Sequence, residues 1–307
     1  MMLPTLPFYT LDVFTDRPFH GNPLAVVLNA DDLTTVQMQT IAGEFNLSET
    51  IFVQAPHNPA HTACVRIFFP SAEIPFAGHP TIGCAIHLAT SRLKGDFTAH
   101  LVLEEQAGLV PVTVTRRGPQ VEAEFTAPVL PQATPYTAPD DLIAAALGLT
   151  DIGFGTHRPG VFQGGPRFLY VPVSSLSDLA CAKPHEPAWS QLMTKAGVDS
   201  AYLYTTGQAC DYRARMFSPT AGIPEDPATG SASAILAAQL LANGALKCGT
   251  IHFTLHQGVE MGRPSTIHLT VDLADTITAI RIRGGAVPIS HGQIVIPAPL
   301  GNFAPHA

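Results

Sequence analysis

Two short segments combine glycine, a proton-carrying side chain and the start of an apolar helix. The first reads Ala77-Gly78-His79-Pro80-Thr81, the second Asp226-Pro227-Ala228-Thr229-Gly230-Ser231. The first turn of a helix has backbone N–H groups without intrahelical partners and carries partial positive charge, so it suits a carboxylate or an enolate. Glycine lets the backbone come close to a ligand, and proline fixes the entry into the helix. His79 and Asp226 place a titratable group at each start. A lone histidine is more often structural than catalytic, and Asp226 has a plain reading as the cap of the second helix, which is compatible with substrate contact. A helix N-terminus disfavours the imidazolium, so His79 is expected to be neutral, hydrogen-bonded to Asp226 or donating to a substrate. Ser231 and the N–H groups of Gly78 and Gly230 would hold a substrate carboxylate or polarise a developing enolate.

Other chemistries lack their residues. HExxH, a Walker A loop and a GxSxG elbow are all absent. His252 and His256 have an HxxxH spacing, but on a strand-like segment they would stand roughly 13 Å apart at about 3.3 Å per residue, too far for one metal. The five cysteines, Cys64, Cys84, Cys181, Cys210 and Cys248, are scattered and form no CxxC pair. They predict a reduced, cytoplasmic protein with no structural zinc, and Cys64 and Cys84 read as small buried hydrophobes. Asp31-Asp32 reads as a helix opening. Arg66 and Arg215 read as strand-end or inter-lobe partners.

The elements that must position these residues are mostly short strands. The chain has 307 residues with 16 Lys and Arg against 24 Asp and Glu, a formal charge of −8. That balance argues against nucleic acid or an acidic membrane surface as partner. Charged residues are 13% and hydrophobic ones 46%, which excludes a disordered chain and predicts a large core, with some apolar surface left for a subunit interface. No run approaches the roughly 20 apolar residues of a membrane helix, and Met1 to Thr10 lack the basic residues of a secretory signal. Runs such as Phe8–Phe14, Cys64–Phe69, Val110–Thr115 and Ile277–Ile282, bounded by turn residues, predict strands. Thr34–Phe45 and Pro139–Leu147 predict amphipathic helices. Thr81–Ala89 and Ser231–Ala242 differ: they are apolar or small all round, so each should be enclosed on every face by curved sheet.

The approaches to these two helices resemble each other. Arg66-Ile-Phe-Phe-Pro-Ser-Ala-Glu-Ile-Pro75 and Arg215-Met-Phe-Ser-Pro-Thr-Ala-Gly-Ile-Pro224 share Arg, Phe, Pro, Ala, Ile and Pro at a constant offset of 149. This predicts a duplication, with strand, turn and central helix once per half. The Pro-rich stretch Pro128–Pro139 reads as the linker, dividing the chain into lobes 1–127 and 128–307, with the C-terminal tail free to cross back. A cleft between duplicated lobes is a natural ligand site.

With these turns in view, the chain resembles the PhzF-like phenazine biosynthesis family of the diaminopimelate epimerase superfamily. The matching stretches are Asp12-Val-Phe-Thr, Gly21-Asn-Pro-Leu-Ala-Val, Asn46-Leu-Ser-Glu-Thr, Pro75-Phe-Ala-Gly-His-Pro80, Arg215-Met-Phe-Ser-Pro219, Glu225-Asp-Pro-Ala-Thr-Gly-Ser-Ala232 and Gln257-Gly-Val-Glu-Met-Gly-Arg-Pro264. The resemblance implies an α+β fold of two similar lobes, each a mixed barrel-like sheet round a central apolar helix, and a homodimer. It implies isomerisation of a dihydro-hydroxyanthranilate type of substrate, with no metal and no organic cofactor. It places the acid/base glutamate on Glu49, the Gly-His pair on Gly78 and His79, and the remaining positions on Asp226, Gly230 and Ser231. Racemases of this fold use a cysteine at each helix start; the corresponding positions here are Ala77 and Ala228, which have no proton to exchange.

Glu49 by position alone is an ordinary solvated carboxylate. Enclosed between apolar lobes with His79 and Asp226, it would have a raised pKa and could move a proton between neighbouring carbons on one face. The expectation is therefore a cofactor-independent isomerase acting on a small carboxylate-bearing, possibly cyclic, substrate. The alternative is a non-catalytic metabolite- or partner-binding protein that keeps the cleft, although such a protein has no need of the shuttle residue.

Overall fold

The structure, a computed structural model, describes residues 3–136 and 138–298. Its strands form two barrel-like sheets that share one long strand, Ile277–Val295. The first barrel closes completely. Thr5–Val13 pairs with Asn22–Val27, which runs parallel to Glu49–Gln54; Ala63–Phe68 follows, then Phe97–Glu105 in parallel, Gly108–Arg117 and Gln120–Thr126. The shared strand fills the remaining gap. Arg281–Gly285 pairs with the last of these strands, and Ala286–Val295 with the first.

The second lobe repeats the order. Gly160–Gln163 and Arg167–Pro172 are antiparallel, Ala201–Thr206 is parallel to the latter, and Tyr212–Ser218 follows. Gly249–Gln257 is parallel to Tyr212–Ser218, and Ser265–Leu273 leads to the shared strand. Within the Pro-rich stretch a short strand, Gln132–Thr134, pairs with Gly160–Gln163. Alternation of burial along Gly108–Arg117, with Val110, Val112 and Val114 inward, is the signature of a sheet with one core face.

Among the described residues six α-helices accompany the sheets: α1 Thr35–Phe45, α2 Gly78–Arg92, α3 Asp140–Leu147, α4 Leu176–Cys181, α5 Ala188–Ala196 and α6 Gly230–Ala242. α2 and α6 run inside the two barrels, as their composition requires. Eleven of fifteen residues of α2 and ten of thirteen of α6 are buried. The outer helices bury one stripe only. α1 seats Met38, Ile41 and Ala42 on the first barrel, and α3, α4 and α5 cover the second around Trp189, Leu179 and Ile143. The segments of α4 and α5 are too short and too mixed for a helical period to stand out in the sequence.

Several expectations need correction. Thr34, not Asp31-Asp32, opens α1, through a reciprocal capping box with Gln37, while Asp31 accepts the N–H of Ala55. The offset of 149 holds only through the strands bearing Arg66 and Arg215. Arg66 pairs with Glu73 and Arg215 with Glu225, and Gly78 abuts Gly230, so the offset becomes 152 after the turn. The extra three residues are accommodated around the 3-10 turn Pro219–Ala221. The residue of this chain equivalent to Ala77 is therefore Thr229, and each is the N-cap of its helix. Both arginines bond within their own lobe from mid-strand positions, so they are neither strand-end nor inter-lobe partners.

Candidate active site

The first turns of α2 and α6 meet head to head. A Cβ placed on Gly78 would stand 3.0 Å from Gly230 Cα, and one on Gly230 would stand 3.2 Å from Gly78 Cα. Only glycine permits this approach. Neither helix has a side-chain cap, so N–H groups of both first turns converge on one point between the lobes. Ser231 lies in the same turn of α6, half-buried.

Glu49 is brought to this point by the local chain. α1 ends at Asn46, whose left-handed backbone (φ 49°) turns the chain, and Glu49 begins the next strand. Asn22 begins the neighbouring parallel strand, so both side chains stand at the same end of the barrel. Asp226 is the last residue of the strand Ile223–Asp226, just before α6. Glu49, His79 and Asp226 are each at least 93% buried.

His79 Nδ1 is 3.3 Å from Glu49 Oε2, a contact without hydrogen-bond geometry. Of the two roles expected for His79, a direct bond to Asp226 is not formed; Asn22 stands between them. Its amide nitrogen donates to Asp226 Oδ1 at 2.8 Å and to the Ala228 carbonyl at 2.9 Å, and lies 3.3 Å from His79 Nδ1. Asp226 Oδ2 accepts from the Thr229 hydroxyl at 2.6 Å, so the carboxylate holds side chains and is not the helix cap. Gln257 completes the brace. It accepts the N–H of Thr229 and donates to the Asp226 carbonyl and the Thr229 hydroxyl. Across the lobes, Arg263 donates to Asp12 at 2.6 Å and to the His20 and Gly21 carbonyls, which fixes the turn leading into Asn22. The sequence offered a signal for all three residues, since Asn22, Gln257 and Arg263 lie in the quoted stretches; none had been given a role.

The electrostatics follow from burial. Burial pushes Glu49 well above the usual carboxylate range, and the charge of Asp226 pushes it further. Burial raises Asp226 to about 6, against the hydrogen bonds of Thr229, Asn22 and Ser48. The pair thus shares its charge, with Asp226 the better-stabilised anion. Burial lowers His79 to about 3, so the imidazole is neutral, as expected at a helix start. Glu49 Oε2, His79 Nε2 and Asn22 Oδ1 are buried polar atoms that no group among the described residues satisfies, and all three belong to this cluster. A surface cavity of about 910 Å³ lies elsewhere: Phe14, Arg17, His20, Glu122 and His268 line it, and the trio does not. Phe14, at an unusual φ of 63°, packs against Gly230 on the site side.

His79 gives a pH test of this burial. Unfolded, an imidazole titrates near 6.5; folded, His79 titrates at about 3. Between these values only the unfolded chain takes up the proton, so stability falls as pH drops from 6.5 toward about 3. His79→Gln is expected to lose less stability than the parent over that window, measured by urea midpoints; parallel pH curves would show that the imidazole is solvated.

The comparisons with known proteins bear on this geometry. The family model described as phenazine biosynthesis-like protein matches residues 11–292. The chain belongs to that family. It is 40% identical over 302 residues to an uncharacterized isomerase of Mesorhizobium japonicum, covering 95% of this chain and 99% of the relative. It is 36% identical over 290 residues to trans-2,3-dihydro-3-hydroxyanthranilate isomerase of Pseudomonas chlororaphis, covering 94% and 99%. A PhzF family phenazine biosynthesis protein of Bacillus anthracis superposes with a TM-score of 0.86 at 24% identity, covering 96% of this chain and all of that one. This PhzF-like protein is an isomerase by its relatives. Neither Ala77 nor Thr229 supplies a thiol, so it is not a two-cysteine racemase. Among its described residues no helix is long and apolar enough to cross a membrane.

Proposed function

We propose that this isomerase moves a proton between two carbons of a small, cyclic, carboxylate-bearing substrate of the dihydro-hydroxyanthranilate type, with Glu49 as the proton carrier. The observation that carries this reading is the buried Glu49 Oε2, unsatisfied among the described residues and 3.3 Å from a neutral His79 beside the two helix starts. Glu49 takes a proton from one carbon and delivers one to another on the same face. Burial and the charge of Asp226 raise its pKa, which makes the ionised form a stronger base and favours the protonated form that donates. His79, neutral, donates to or accepts from the substrate. Asp226, held by Asn22 and Thr229, keeps the negative charge that raises Glu49. The substrate carboxylate lies against the N–H groups of Gly78 and Gly230 and the Ser231 hydroxyl, which also stabilise charge developing on an enol or enamine as the proton leaves. These groups supply proton transfer and anion stabilisation between them, which is all that a cofactor-independent shift of one hydrogen requires.

The test is incubation with trans-2,3-dihydro-3-hydroxyanthranilate in D₂O, followed by NMR and mass spectrometry. The expected product has the oxidation level of the substrate, with hydrogen lost from one ring carbon and at most one deuterium gained, at a different carbon. Binding without conversion would favour a non-catalytic protein. Deuterium at the same carbon with inverted configuration would mean a racemase. Either result overturns the proposal.

A further inference from the structure

We propose that the outer face of the first barrel carries a site for a divalent transition metal of the zinc class, held by His57, Cys64 and Glu104. One ligand atom from each lies within 4.8 Å of the other two. In sequence the three are far apart and follow no CxxC spacing, which is why the cysteine pattern alone predicted no zinc. The fold assembles them. Cys64 and Glu104 are register partners on the parallel strands Ala63–Phe68 and Phe97–Glu105. His57 arrives on the loop between Glu49–Gln54 and Ala63–Phe68.

The site is separate from the catalytic one. Successive residues of a strand point to opposite faces. Glu105 points inward, where it accepts from Thr81 of α2 at 2.7 Å, so Glu104 points outward. Its carboxylate is gripped by the loop. Oε2 accepts from the N–H of His57 at 2.8 Å and contacts His57 Nδ1 at 2.7 Å; Oε1 accepts from the N–H of Asn58 at 2.9 Å and contacts His61 Nδ1 at 2.6 Å. The backbone N–H groups of Asn58 and His57, aided by both imidazoles, hold this carboxyl at about 2, so it is an anion at any ordinary pH. A loop clamp needs no more than these bonds. The thiol of Cys64 is additional to them, and it converges on the same two groups.

The donor set defines the metal. A thiolate, an imidazole and a carboxylate suit Zn²⁺ or Co²⁺ and disfavour Mg²⁺ and Ca²⁺, which take oxygen ligands. Bonds of about 2.0–2.3 Å in a tetrahedral site separate ligand atoms by roughly 3.3–3.8 Å, so the widest gap need close by only about 1 Å. Side-chain rotation of His57, 84% exposed, can supply this. His61 then orients the carboxylate from its other oxygen, a common arrangement around metal ligands. On binding, the Cys64 thiol gives up its proton to solvent, and the His57 proton moves from Nδ1 to Nε2, freeing the Nδ1 lone pair for the metal. No oxidation occurs. Burial and the charge of Glu104 keep Cys64 a thiol until a cation arrives.

The experiment titrates the full-length, chelator-stripped protein with Co²⁺ and reads the thiolate-to-metal charge-transfer band, then displaces it with Zn²⁺. The band is expected in the parent and in a Cys181→Ser/Cys248→Ser variant, and is expected to vanish in Cys64→Ser. Glu104→Gln should weaken Co²⁺ binding at least about tenfold. Because Cys64→Ser could fail to fold, the unmutated protein is also alkylated with and without Zn²⁺, and Cys64 is followed by peptide mass; Zn²⁺ should protect it. No band in the parent, a band that survives Cys64→Ser in folded protein, or no protection of Cys64 would overturn the site. His57→Ala should abolish the band and leave isomerase turnover unchanged.

Discussion

Glu49→Gln lowers kcat/KM for isomerisation by about 10³-fold and leaves the folded protein intact, as expected when a general acid/base is removed. The amide has the size and neutrality of the protonated carboxyl, which is the form that burial and Asp226 favour. The variant therefore loses the transferable proton and little else. Urea midpoints near neutral pH should match the parent or exceed it, because a buried group that resists ionisation has been replaced by one that cannot ionise. Ligand binding should survive, since the helix starts and Ser231 are untouched. Turnover within a few-fold of the parent would refute the shuttle. A collapse of stability alongside activity would instead assign Glu49 a structural role.

Arg215→Ala costs about 3–5 kcal/mol of folding stability, whereas the equivalent change at Arg66 costs about 1 kcal/mol or less. The two residues occupy the same place in the duplicated lobes. Each reaches a glutamate through two bonds, and each lies over a phenylalanine two residues on. Burial separates them. The Arg66 and Glu73 side chains are 25% and 23% exposed, those of Arg215 and Glu225 only 7% and 14%. Arg215 also donates to the carbonyls of Leu179, Ala180 and Ala182 at the C-terminus of α4, where its charge suits the end of the helix. Removing it leaves a buried carboxylate and three carbonyls without a donor. Denaturant unfolding of the two variants checks the difference, and equal losses would show that burial does not set the strength of these pairs.

The two barrels with enclosed helices were legible because all-round apolar composition has one stable solution in a helix too short to cross a membrane. Glu49, His79 and Asp226 were legible through their motifs, and the duplication through Arg66 and Arg215. What escaped depends on contacts between distant segments. Asn22 is polar and unremarked until Asp226 arrives from two hundred residues away. The offset change from 149 to 152 is hidden by an Ile-Pro pair that recurs in both halves at non-equivalent places. The strand Ile277–Val295 looked short because Gly284-Gly285, Pro288 and Gly292 interrupt its hydrophobic alternation. Two of the glycines have a packing reason: at Gly284 the ring of Phe14, and at Gly292 the ring of Phe8, occupies the space of a side chain.

That shared strand has a consequence for the order of events during synthesis. The first barrel needs Arg281–Val295 to join its opening strand to its seventh, Gln120–Thr126. A nascent chain that has emerged only through Thr126 still has an open seam along both edges, with unpaired backbone and an exposed apolar lining. Vectorial completion of the first lobe is therefore excluded by topology. Both halves must wait for the last strand to leave the ribosome, and until then the growing polypeptide is a natural client for chaperones.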